Sequence, residues 1–211
     1  MSASTGPVHI AVFARAPVAG AAKTRLIPAI GATAAARVHR KLVLKTLKTA
    51  YAAKLGPVTL WAAPDTSHRF FRALTKLGVL CRDQCAGDLG ARMQHALSAS
   101  HPRPTLLIGS DCAPLQTEHL IAAANVLRTG HDAVFLPAED GGYVLIGLNA
   151  EANPVLFDDI PWGTSEVMRI TRTRLDRLGY SWREPITLWD IDQPADLDRW
   201  NTLKGIDLPI T

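Results

Sequence analysis

Val8-His9-Ile10-Ala11-Val12-Phe13-Ala14 is a short apolar run that ends at a loop of small residues and cations, residues 15–26. Its length and the Pro/Gly segment that bounds it are typical of a buried β-strand. Residues 33 to about 54 then contain no Pro or Gly, and Val38, Leu42 and Tyr51 fall near one helical stripe. A buried strand followed by such a helix predicts the first part of a βαβ crossover unit.

The same alternation of strand and helix continues to the end of the chain. Strands that alternate with helices of this length favour a largely parallel sheet covered on both faces. The sequence therefore predicts one doubly wound α/β domain over residues 1–211. The further strands are predicted at 58–63, 79–81, 105–109, 133–137, 143–148 and 182–189, and the further helices at 66–77, 88–100, 116–128, 165–178 and 194–203.

The composition places the chain among ordinary globular proteins. It has 211 residues, of which 47% are hydrophobic and 20% charged, so it can bury a substantial core. This excludes a disordered tail, a collagen-like chain and a disulfide miniprotein. Lys and Arg exceed Asp and Glu by 23 to 19, but they are spread along the sequence, which favours a small anionic substrate over a nucleic acid.

The cysteines predict a reduced, cytoplasmic protein. Cys81, Cys85 and Cys112 are odd in number, and no secretory leader precedes the first strand. The pair Cys81-x3-Cys85 lacks a second Cys or His pair that would complete a zinc site, so we expect small core or loop residues. No apolar run approaches the roughly 20 residues that a membrane span needs, so no span is expected.

The loop after the first strand is the first candidate ligand site. It carries three cations, Arg15, Lys23 and Arg25, with small residues between them that let a ligand approach the backbone. Such a loop suits phosphate, although Ala22 stands where a P-loop requires Gly. The alternative interpretation is that the three cations are solvated on a surface loop.

Carboxylates follow two other strands of the predicted sheet. Asp111 comes shortly after the strand at 105–109, and Asp190 and Asp192 follow a later extended segment. Ligands of such sheets lie beyond the carboxyl ends of the strands, where two carboxylates and substrate phosphates can hold Mg²⁺. Alternatively, Asp111 caps the turn at residues 112–114, and Asp192 caps the last helix.

Three further segments are candidates for contact with the same ligand. Asp140 and the two glycines after it favour a tight turn, and Asp140 is placed to orient or deprotonate an acceptor hydroxyl. Gly87 and Arg92 flank a helix start whose backbone amides suit a nucleobase, or which is simply capped. Trp162 precedes another helix, and it either closes over the acceptor or fills the edge of the domain.

Several of these motifs, taken in order, resemble one bacterial family. From about Val8 to Leu203, the chain is similar to the radical-SAM/selenoprotein-associated transferases, which are GT-A-fold glycosyltransferase-like proteins of the nucleotide-diphospho-sugar transferase superfamily. The motifs that carry this resemblance are Phe13-Ala14-Arg15-Ala16-Pro17-Val18-Ala19-Gly20-Ala21-Ala22-Lys23-Thr24-Arg25-Leu26, Gly109-Ser110-Asp111-Cys112-Ala113-Pro114-Leu115, Pro137-Ala138-Glu139-Asp140-Gly141-Gly142-Tyr143, Trp162-Gly163-Thr164 and Asp190-Ile191-Asp192-Gln193-Pro194-Ala195-Asp196-Leu197.

This resemblance implies a GT-A-like α/β/α fold with a mostly parallel mixed sheet and a nucleotide-activated substrate. It also implies that Asp111 and Asp192 hold Mg²⁺ or Mn²⁺. The residues expected to contact the nucleotide and its phosphates are Ala14, Arg15, Lys23, Arg25, Gly87 and Arg92, and those expected on the acceptor side are Asp140, Gly141, Gly142 and Trp162.

The leading hypothesis is a metal-dependent glycosyltransferase that acts on a nucleotide-diphospho-sugar and a small-molecule acceptor. Its predicted catalytic residues are Lys23, Asp111 and Asp140. Lys23-Thr24-Arg25-Leu26 also resembles the first loop of 2-phospholactate guanylyltransferase, so a nucleotidyltransferase that releases pyrophosphate is the alternative. A third hypothesis is a non-catalytic nucleotide-binding protein, because a fold does not establish an activity. The sequence leaves the oligomeric state open.

Overall fold

A computed structural model describes residues 6–149 and 151–204 of the chain. The strands are β1 (His9–Arg15), β2 (Val58–Ala63), β3 (Leu80–Asp83), β4 (Thr105–Gly109), β5 (Ala133–Pro137), β6 (Tyr143–Leu148) and β7 (Trp182–Arg183). The helices are α1 (Ile27–Ala52), α2 (Arg69–Lys76), α3 (Leu89–Ser98), α4 (Thr117–Arg128), α5 (Val167–Leu178) and α6 (Pro194–Lys204), with short 3-10 turns at Thr24–Leu26 and Pro154–Leu156.

The strands form one mixed sheet in the order β3-β2-β1-β4-β6-β5-β7. β1 is parallel to both of its neighbours, β2 and β4, whereas β6 runs antiparallel to β4 and β5. Residues 138–142 connect β5 to β6, and this connection is too short for the crossover that a parallel pair needs. The α/β fold with a mostly parallel mixed sheet is therefore confirmed.

Alternate residues of β1 contribute to two apolar cores. Ile10 and Val12 pack with α1, α2 and α4 on one face of the sheet, and Ala11 and Phe13 pack with α3 and α5 on the other. All four side chains are buried, and burial of an Ile, Val or Phe side chain stabilises a fold by roughly 1.5–3 kcal/mol. The sheet thus lies between two layers of helices.

A third apolar cluster joins α6 to the beginning of α1. Leu26, Leu42, Ile191 and Trp200 are buried together in it. The backbone N–H of Ile191 also donates to the carbonyl of Asp111, just beyond β4, at 3.0 Å. Together, these contacts bring the segment before α6 to the carboxyl ends of β1 and β4.

The first helix is longer than the sequence pattern predicted. α1 begins at Ile27 rather than at residue 33, and it is kinked at Gly31, where φ is 76°. Pro28 lies in the first turn, where no backbone N–H donor is needed, so it does not prevent the helix from starting early. Leu42 of the predicted apolar stripe is buried as expected, but Tyr51 is exposed.

Most of the last predicted strand lies outside the sheet. Only Trp182–Arg183 pairs with β5, and Leu188 forms an isolated bridge with Ala138. Pro185 lies between these two contacts and has no N–H to donate to a neighbouring strand. The prediction of a strand over residues 182–189 was therefore wrong for most of its length.

Candidate functional site

A groove of about 670 Å³ lies at the carboxyl ends of β1 and β4. Ligand sites typically occupy roughly 300–1,000 Å³, so the groove is large enough for a nucleotide. It lies at the edge of the sheet where α/β folds bind their ligands. The predicted site residues that line it are Ala14, Arg15, Lys23, Arg25, Arg92, Asp111, Asp140 and Asp192.

Lys23 lies at the centre of the charged part of this groove. Its Nζ is 2.9 Å from Asp111 Oδ2 and 3.0 Å from Asp192 Oδ1, and it donates to the carbonyl of Ile191 at 2.5 Å. An ammonium group has three N–H donors, so all of them are used. Lys23 therefore lies between the two predicted metal ligands, instead of extending freely toward a phosphate as the sequence suggested.

The backbone around Lys23 holds this side chain inside the protein. Lys23 has a left-handed backbone conformation (φ 51°), which is uncommon for residues other than Gly. Ala22 before it and Leu26 after it are both buried, so the loop is anchored on each side. The side chain of Lys23 is only 5% exposed. This anchoring explains how a cation can be buried at the end of a strand.

The structure excludes the capping role that was considered for Asp192. Oδ2 of Asp196 accepts hydrogen bonds from the backbone N–H groups of Asp192 and Gln193, at 2.9 and 2.7 Å, so Asp196 supports the start of α6. The carboxylate of Asp192 instead contacts Lys23 and lies 3.2 Å from Nη1 of Arg25. Within residues 6–149 and 151–204, the Asp111 carboxylate likewise accepts no hydrogen bond from the turn at 112–114.

His39 is a residue of the site that the sequence analysis missed. It lies on the buried face of α1, and its Nε2 is 3.0 Å from the carbonyl oxygen of Arg15. Its Nδ1 is 3.6 Å from Oδ1 of Asp111, and neither of these two buried atoms has a hydrogen-bond partner among the described residues. A polar residue among the buried Ala35, Leu42 and Val43 of α1 was the signal that could have identified it.

The charges around Lys23 shift the pKa values of the groups in the groove. Burial alone would raise the pKa of Asp111, but the contact with His39 and the charge of Lys23 lower it to about 2. Burial would lower the pKa of Lys23, but the carboxylates of Asp111 and Asp192 raise it. Asp111 and Lys23 are therefore both charged at neutral pH.

Asp190 is a buried carboxyl group whose pKa depends on the charges around Lys23. Burial, and then the negative charge of Asp111, raises the pKa of Asp190 to about 7, although Lys23 acts in the opposite direction. The charges of Asp192 and Asp140 raise it further. One buried ammonium group therefore does not neutralise the surrounding carboxylates.

Two of these carboxylates fit a divalent cation. Mg²⁺ is commonly held by one or two protein carboxylates, with water and substrate phosphate oxygens completing its coordination. Asp111 and Asp192 face one cation position from two different segments, and Oδ1 of Asp111 is buried without a partner. In the described part of the chain, no three His, Cys, Asp or Glu side chains form a metal cluster.

Arg15 and Arg92 provide positive charge on another wall of the groove. Arg15 ends β1, and its side chain is exposed. Arg92 lies in the first turns of α3, where its Nε donates to the carbonyl of Gly87 at 3.0 Å. Oδ1 of Asp88 caps this helix by accepting from the N–H of Ala91 at 2.8 Å. Gly87 thus positions Arg92 but does not itself line the groove.

Asp140 lines the groove, whereas Gly141, Gly142 and Trp162 lie behind it and do not. The predicted turn is present, and Oδ1 of Asp140 accepts from the N–H of Gly142 at 3.0 Å. A Cβ atom on Gly141 would lie 2.3 Å from the carbonyl oxygen of Ser165, so only Gly allows this close approach. Trp162 packs edge-to-face on Tyr143 and does not line the groove. Contact of Gly141, Gly142 and Trp162 with an acceptor stays a prediction.

The cysteines take the positions that the sequence analysis expected. Cys112 is buried directly after Asp111, and burial raises the pKa of its thiol well above the usual range. A protonated buried thiol is a poor nucleophile, so Cys112 is a packing residue. Cys81 and Cys85 are partly buried and form no disulfide.

A bacterial protein family matches just over half of the chain. The family described as "Uncharacterized protein conserved in bacteria (DUF2064)" matches residues 46–164. A search of curated proteins finds no match to the chain. The comparisons do not support the narrower radical-SAM/selenoprotein-associated label that the sequence motifs suggested.

Solved structures share the fold. A protein from Desulfovibrio desulfuricans G20, provisionally named a nucleotide-diphospho-sugar transferase, is 29% identical, with a TM-score of 0.80 over 88% of this chain and 82% of that one. The 4-diphosphocytidyl-2C-methyl-D-erythritol synthase of Anaerococcus prevotii DSM 20548 is 12% identical, with a TM-score of 0.65 over 96% and 100%. A CMP:2-keto-3-deoxy-manno-octonic acid synthetase complexed with CTP is 11% identical, with a TM-score of 0.61 over 95% and 99%.

Proposed function

Given that the chain belongs to the bacterial DUF2064 family, we propose that it is a metal-dependent transferase that uses a nucleotide-diphospho-sugar. The observation that carries this proposal is the arrangement of Asp111 and Asp192 around one cation position, in a groove that also contains Arg15 and Arg92. Neutralising a diphosphate requires positive charge, and holding a divalent metal requires carboxylates. Both lie in one groove at the edge where such folds bind ligands.

The arginines of the groove are the proposed phosphate ligands. Arg15 is exposed at the end of β1, and Arg92 faces the same groove from α3. A guanidinium group matches the geometry of phosphate oxygens and stays charged at all relevant pH values. Ala14 at the end of β1 has no bulky side chain, so the ligand can approach the backbone between these two cations.

Asp111 and Asp192 are the proposed ligands of Mg²⁺ or Mn²⁺. The bound metal would neutralise negative charge on the diphosphate leaving group. Lys23 Nζ lies within 3.0 Å of an oxygen of each carboxylate, and Nδ1 of His39 is 3.6 Å from Oδ1 of Asp111. The chain thus organises the ligand oxygens in advance, which lowers the cost of ordering them when the nucleotide arrives.

Asp140 is the proposed contact to the acceptor. It lies on the groove, and its backbone is fixed by the tight turn between β5 and β6. A carboxylate there can accept a hydrogen bond from the attacking hydroxyl and remove its proton during the transfer. The acceptor is expected to be a small molecule, and the enzyme is expected to work in the cytoplasm.

The test is Asp111→Asn in a thermal-shift screen of nucleoside diphosphates, triphosphates and sugar nucleotides, with and without Mn²⁺. A ligand that binds the folded state raises its melting temperature. We expect a Mn²⁺-dependent shift in the wild type and an affinity loss above roughly 100-fold in the variant, because even outer-shell partners of a metal contribute 10–100-fold. The matched control is Asp176→Asn, which also replaces a carboxylate with an amide, but at an exposed position on α5. Unchanged metal and nucleotide binding in Asp111→Asn would refute the proposal.

Nucleotidyl transfer is the second candidate, favoured by the likeness of Lys23-Thr24-Arg25-Leu26 to the guanylyltransferase loop. The two reactions release different products from the nucleotides that bind in the screen. Free nucleoside diphosphate from a sugar nucleotide selects glycosyl transfer, and pyrophosphate from a nucleoside triphosphate selects nucleotidyl transfer. Binding without either product, over a broad set of acceptors, selects a non-catalytic nucleotide-binding protein.

A further inference from the structure

The helical layer formed by α1, α2 and α4 has a strongly basic outer surface. These three helices contain nine cations and one acidic residue, Glu118. The basic residues are spread along the sequence, but folding gathers these nine on one side of the sheet. They are Arg37, Arg40, Lys41, Lys45 and Lys48 of α1, Arg69, Arg72 and Lys76 of α2, and Arg128 of α4.

The two helical layers differ in the ion pairs that their cations form. In the part of the chain that the structure describes, no ion pair includes a Lys or Arg of α1, α2 or α4. The opposite helical layer differs, because Arg169 and Arg172 of α5 pair with Glu166 and Glu184. Seven of the nine cations are exposed, whereas Lys45 and Arg128 are partly buried and donate to backbone carbonyls. A set of exposed cations without counter-ions favours an anionic partner.

Large apolar side chains are exposed among these cations. Leu44 and Tyr51 of α1 are 40% and 46% exposed, Ile121 of α4 is 38% exposed, and Leu77 at the end of α2 is 80% exposed. On α1, the exposed residues Arg37, Lys41, Leu44, Lys48 and Tyr51 are spaced by three or four positions, which places them on one helical face. Cations and apolar residues are therefore interspersed on this outward face of α1.

We propose that this basic layer docks on the surface of an anionic lipid bilayer. A basic helical face with exposed aliphatic and aromatic side chains can place its cations among lipid headgroups and its apolar groups at their boundary with the acyl chains. Binding to a nucleic acid would use the cations alone and would leave Leu44 and Leu77 exposed. No helix of the described residues can cross a membrane, so the contact is peripheral.

The experiment is co-sedimentation of the full chain with vesicles. The probes are 70:30 phosphatidylcholine/phosphatidylglycerol vesicles and pure phosphatidylcholine vesicles, each in 50 mM and 500 mM NaCl. We expect the protein to bind the anionic vesicles in 50 mM NaCl. Binding should weaken in 500 mM NaCl, because salt screens the attraction between the cations of the protein and the anionic lipids. Failure of the wild type to sediment with the anionic vesicles would overturn the proposal.

Two double variants test whether the basic layer is the surface that binds. A Lys or Arg near an anionic surface strengthens binding by roughly fivefold, so Lys41→Gln/Lys48→Gln should bind about 30-fold more weakly. Arg177→Gln/Arg183→Gln removes the same charge from other exposed positions and should bind like the wild type. An equal loss in both variants would mean that only net charge matters, and it would overturn the assignment to this layer.

The apolar residues separate a membrane from a nucleic acid. Leu44→Ser/Leu77→Ser should lower vesicle binding several-fold while leaving the circular dichroism spectrum unchanged. In parallel, fluorescence anisotropy measures binding to a labelled 30-nucleotide RNA. RNA binding that is tighter than vesicle binding, and insensitive to Leu44→Ser/Leu77→Ser, would replace the lipid surface with a nucleic acid as the partner.

Discussion

Two buried histidines, one near each end of β1, are bonded in different ways. His9 begins the strand, where its Nε2 is 2.9 Å from Thr59 Oγ1 and its Nδ1 contacts the Ser100 hydroxyl. His39 packs near the other end, where its Nε2 is 3.0 Å from the carbonyl of Arg15. Within residues 6–149 and 151–204, its Nδ1 has no hydrogen-bond partner. Both ring nitrogens of His9 are therefore satisfied, and only one of His39 is.

This difference separates a structural polar group from a group that belongs to a site. An unpaired buried polar atom costs about 1–3 kcal/mol, and two such atoms, on His39 and Asp111, face each other at the groove. Among the residues that the structure describes, no carboxylate contacts His9, and its hydrogen bonds are made to neutral hydroxyl groups. The amino end of β1 thus resembles an ordinary core, whereas the carboxyl end is arranged for a charged ligand.

The largest expected effect is the pH dependence of stability that comes from His9. Burial, and then the charges of Arg82 and Arg103, lower the pKa of His9 from 6.5 to about 4. Between these values only the unfolded chain takes up the proton, so the free energy of unfolding falls as the pH falls. His9 should contribute a loss of about 2.5 kcal/mol between pH 7.5 and pH 4.5, since one pKa unit corresponds to 1.36 kcal/mol.

The measurement compares urea unfolding of the wild type and His9→Gln at several pH values. Asp190 acts in the opposite direction, because its raised pKa of about 7 lets the folded state keep a proton that the unfolded chain loses above about pH 4. The difference between the two proteins removes this contribution. If the two profiles are parallel from pH 7.5 to pH 4.5, His9 is not a buried neutral group and the comparison between the two ends fails.

The second largest expected effect is the loss of stability when Lys23, at the carboxyl end of β1, is replaced. Removing one partner of a buried ion pair typically costs 3–5 kcal/mol, but Asp111 and Asp192 are about 40% exposed, so we expect about 2 kcal/mol for Lys23→Met without divalent metal. Adding Mn²⁺ should stabilise this variant more than the wild type, because the ammonium group no longer competes for the two carboxylates. Urea unfolding with EDTA and with Mn²⁺ measures both effects.

Lys45→Met is the matched control for this measurement. Lys45 is also partly buried, but its Nζ donates to the carbonyl of Leu115 and contacts no carboxylate of the described residues. Its substitution should therefore lower stability without any additional gain from Mn²⁺. An equal gain from Mn²⁺ in Lys23→Met and in the wild type would show that the position between Asp111 and Asp192 does not take a metal.

The sequence predicts the elements of this fold better than their pairing. Short apolar runs identified β2, β4, β5 and β6 at their observed bounds, because buried strands are apolar and end at turn residues. The strand expected over residues 182–189 was mostly wrong, because Pro185 and the tertiary contacts of Leu188 override local propensity. The early start of α1, with Pro28 and Gly31 inside it, was not predicted. It depends on the packing of Leu26 and Leu42 against α6, and a local sequence pattern carries no information about such a contact.

The candidate site was predicted by residue type and not by role. Cations and carboxylates after the strands indicated one ligand edge, because parallel strands deliver their carboxyl ends to the same place. The sequence could not show that Lys23 contacts Asp192, which is 169 positions away. It also gave no reason to choose His39 from seven histidines, since its role depends on a helix face that meets the Arg15 carbonyl and Asp111.

The smallest expected effect is the positioning of Asp111 by His39, which rests on the proposed metal site. A partner that orients a metal ligand typically contributes 10–100-fold to affinity. We expect His39→Gln to weaken Mn²⁺ binding about tenfold, near the lower limit, because the Gln amide can still donate to the Arg15 carbonyl. His39→Leu cannot do so, and it should weaken binding further. Titration of each variant with Mn²⁺, followed by electron paramagnetic resonance, measures these affinities.

His9→Gln is the control that separates positioning from general loosening of the core. Like the His39 variants, it replaces a buried histidine that forms hydrogen bonds in the core, but this histidine lies at the amino end of β1. It should therefore leave Mn²⁺ affinity unchanged. If the wild type binds no Mn²⁺ even with nucleotides present, the proposed function fails and the role of His39 has no basis. If the wild type binds and His39→Leu loses stability but keeps its affinity, His39 is a packing residue like His9. Only a loss of affinity confined to the His39 variants supports the distinction between the two ends.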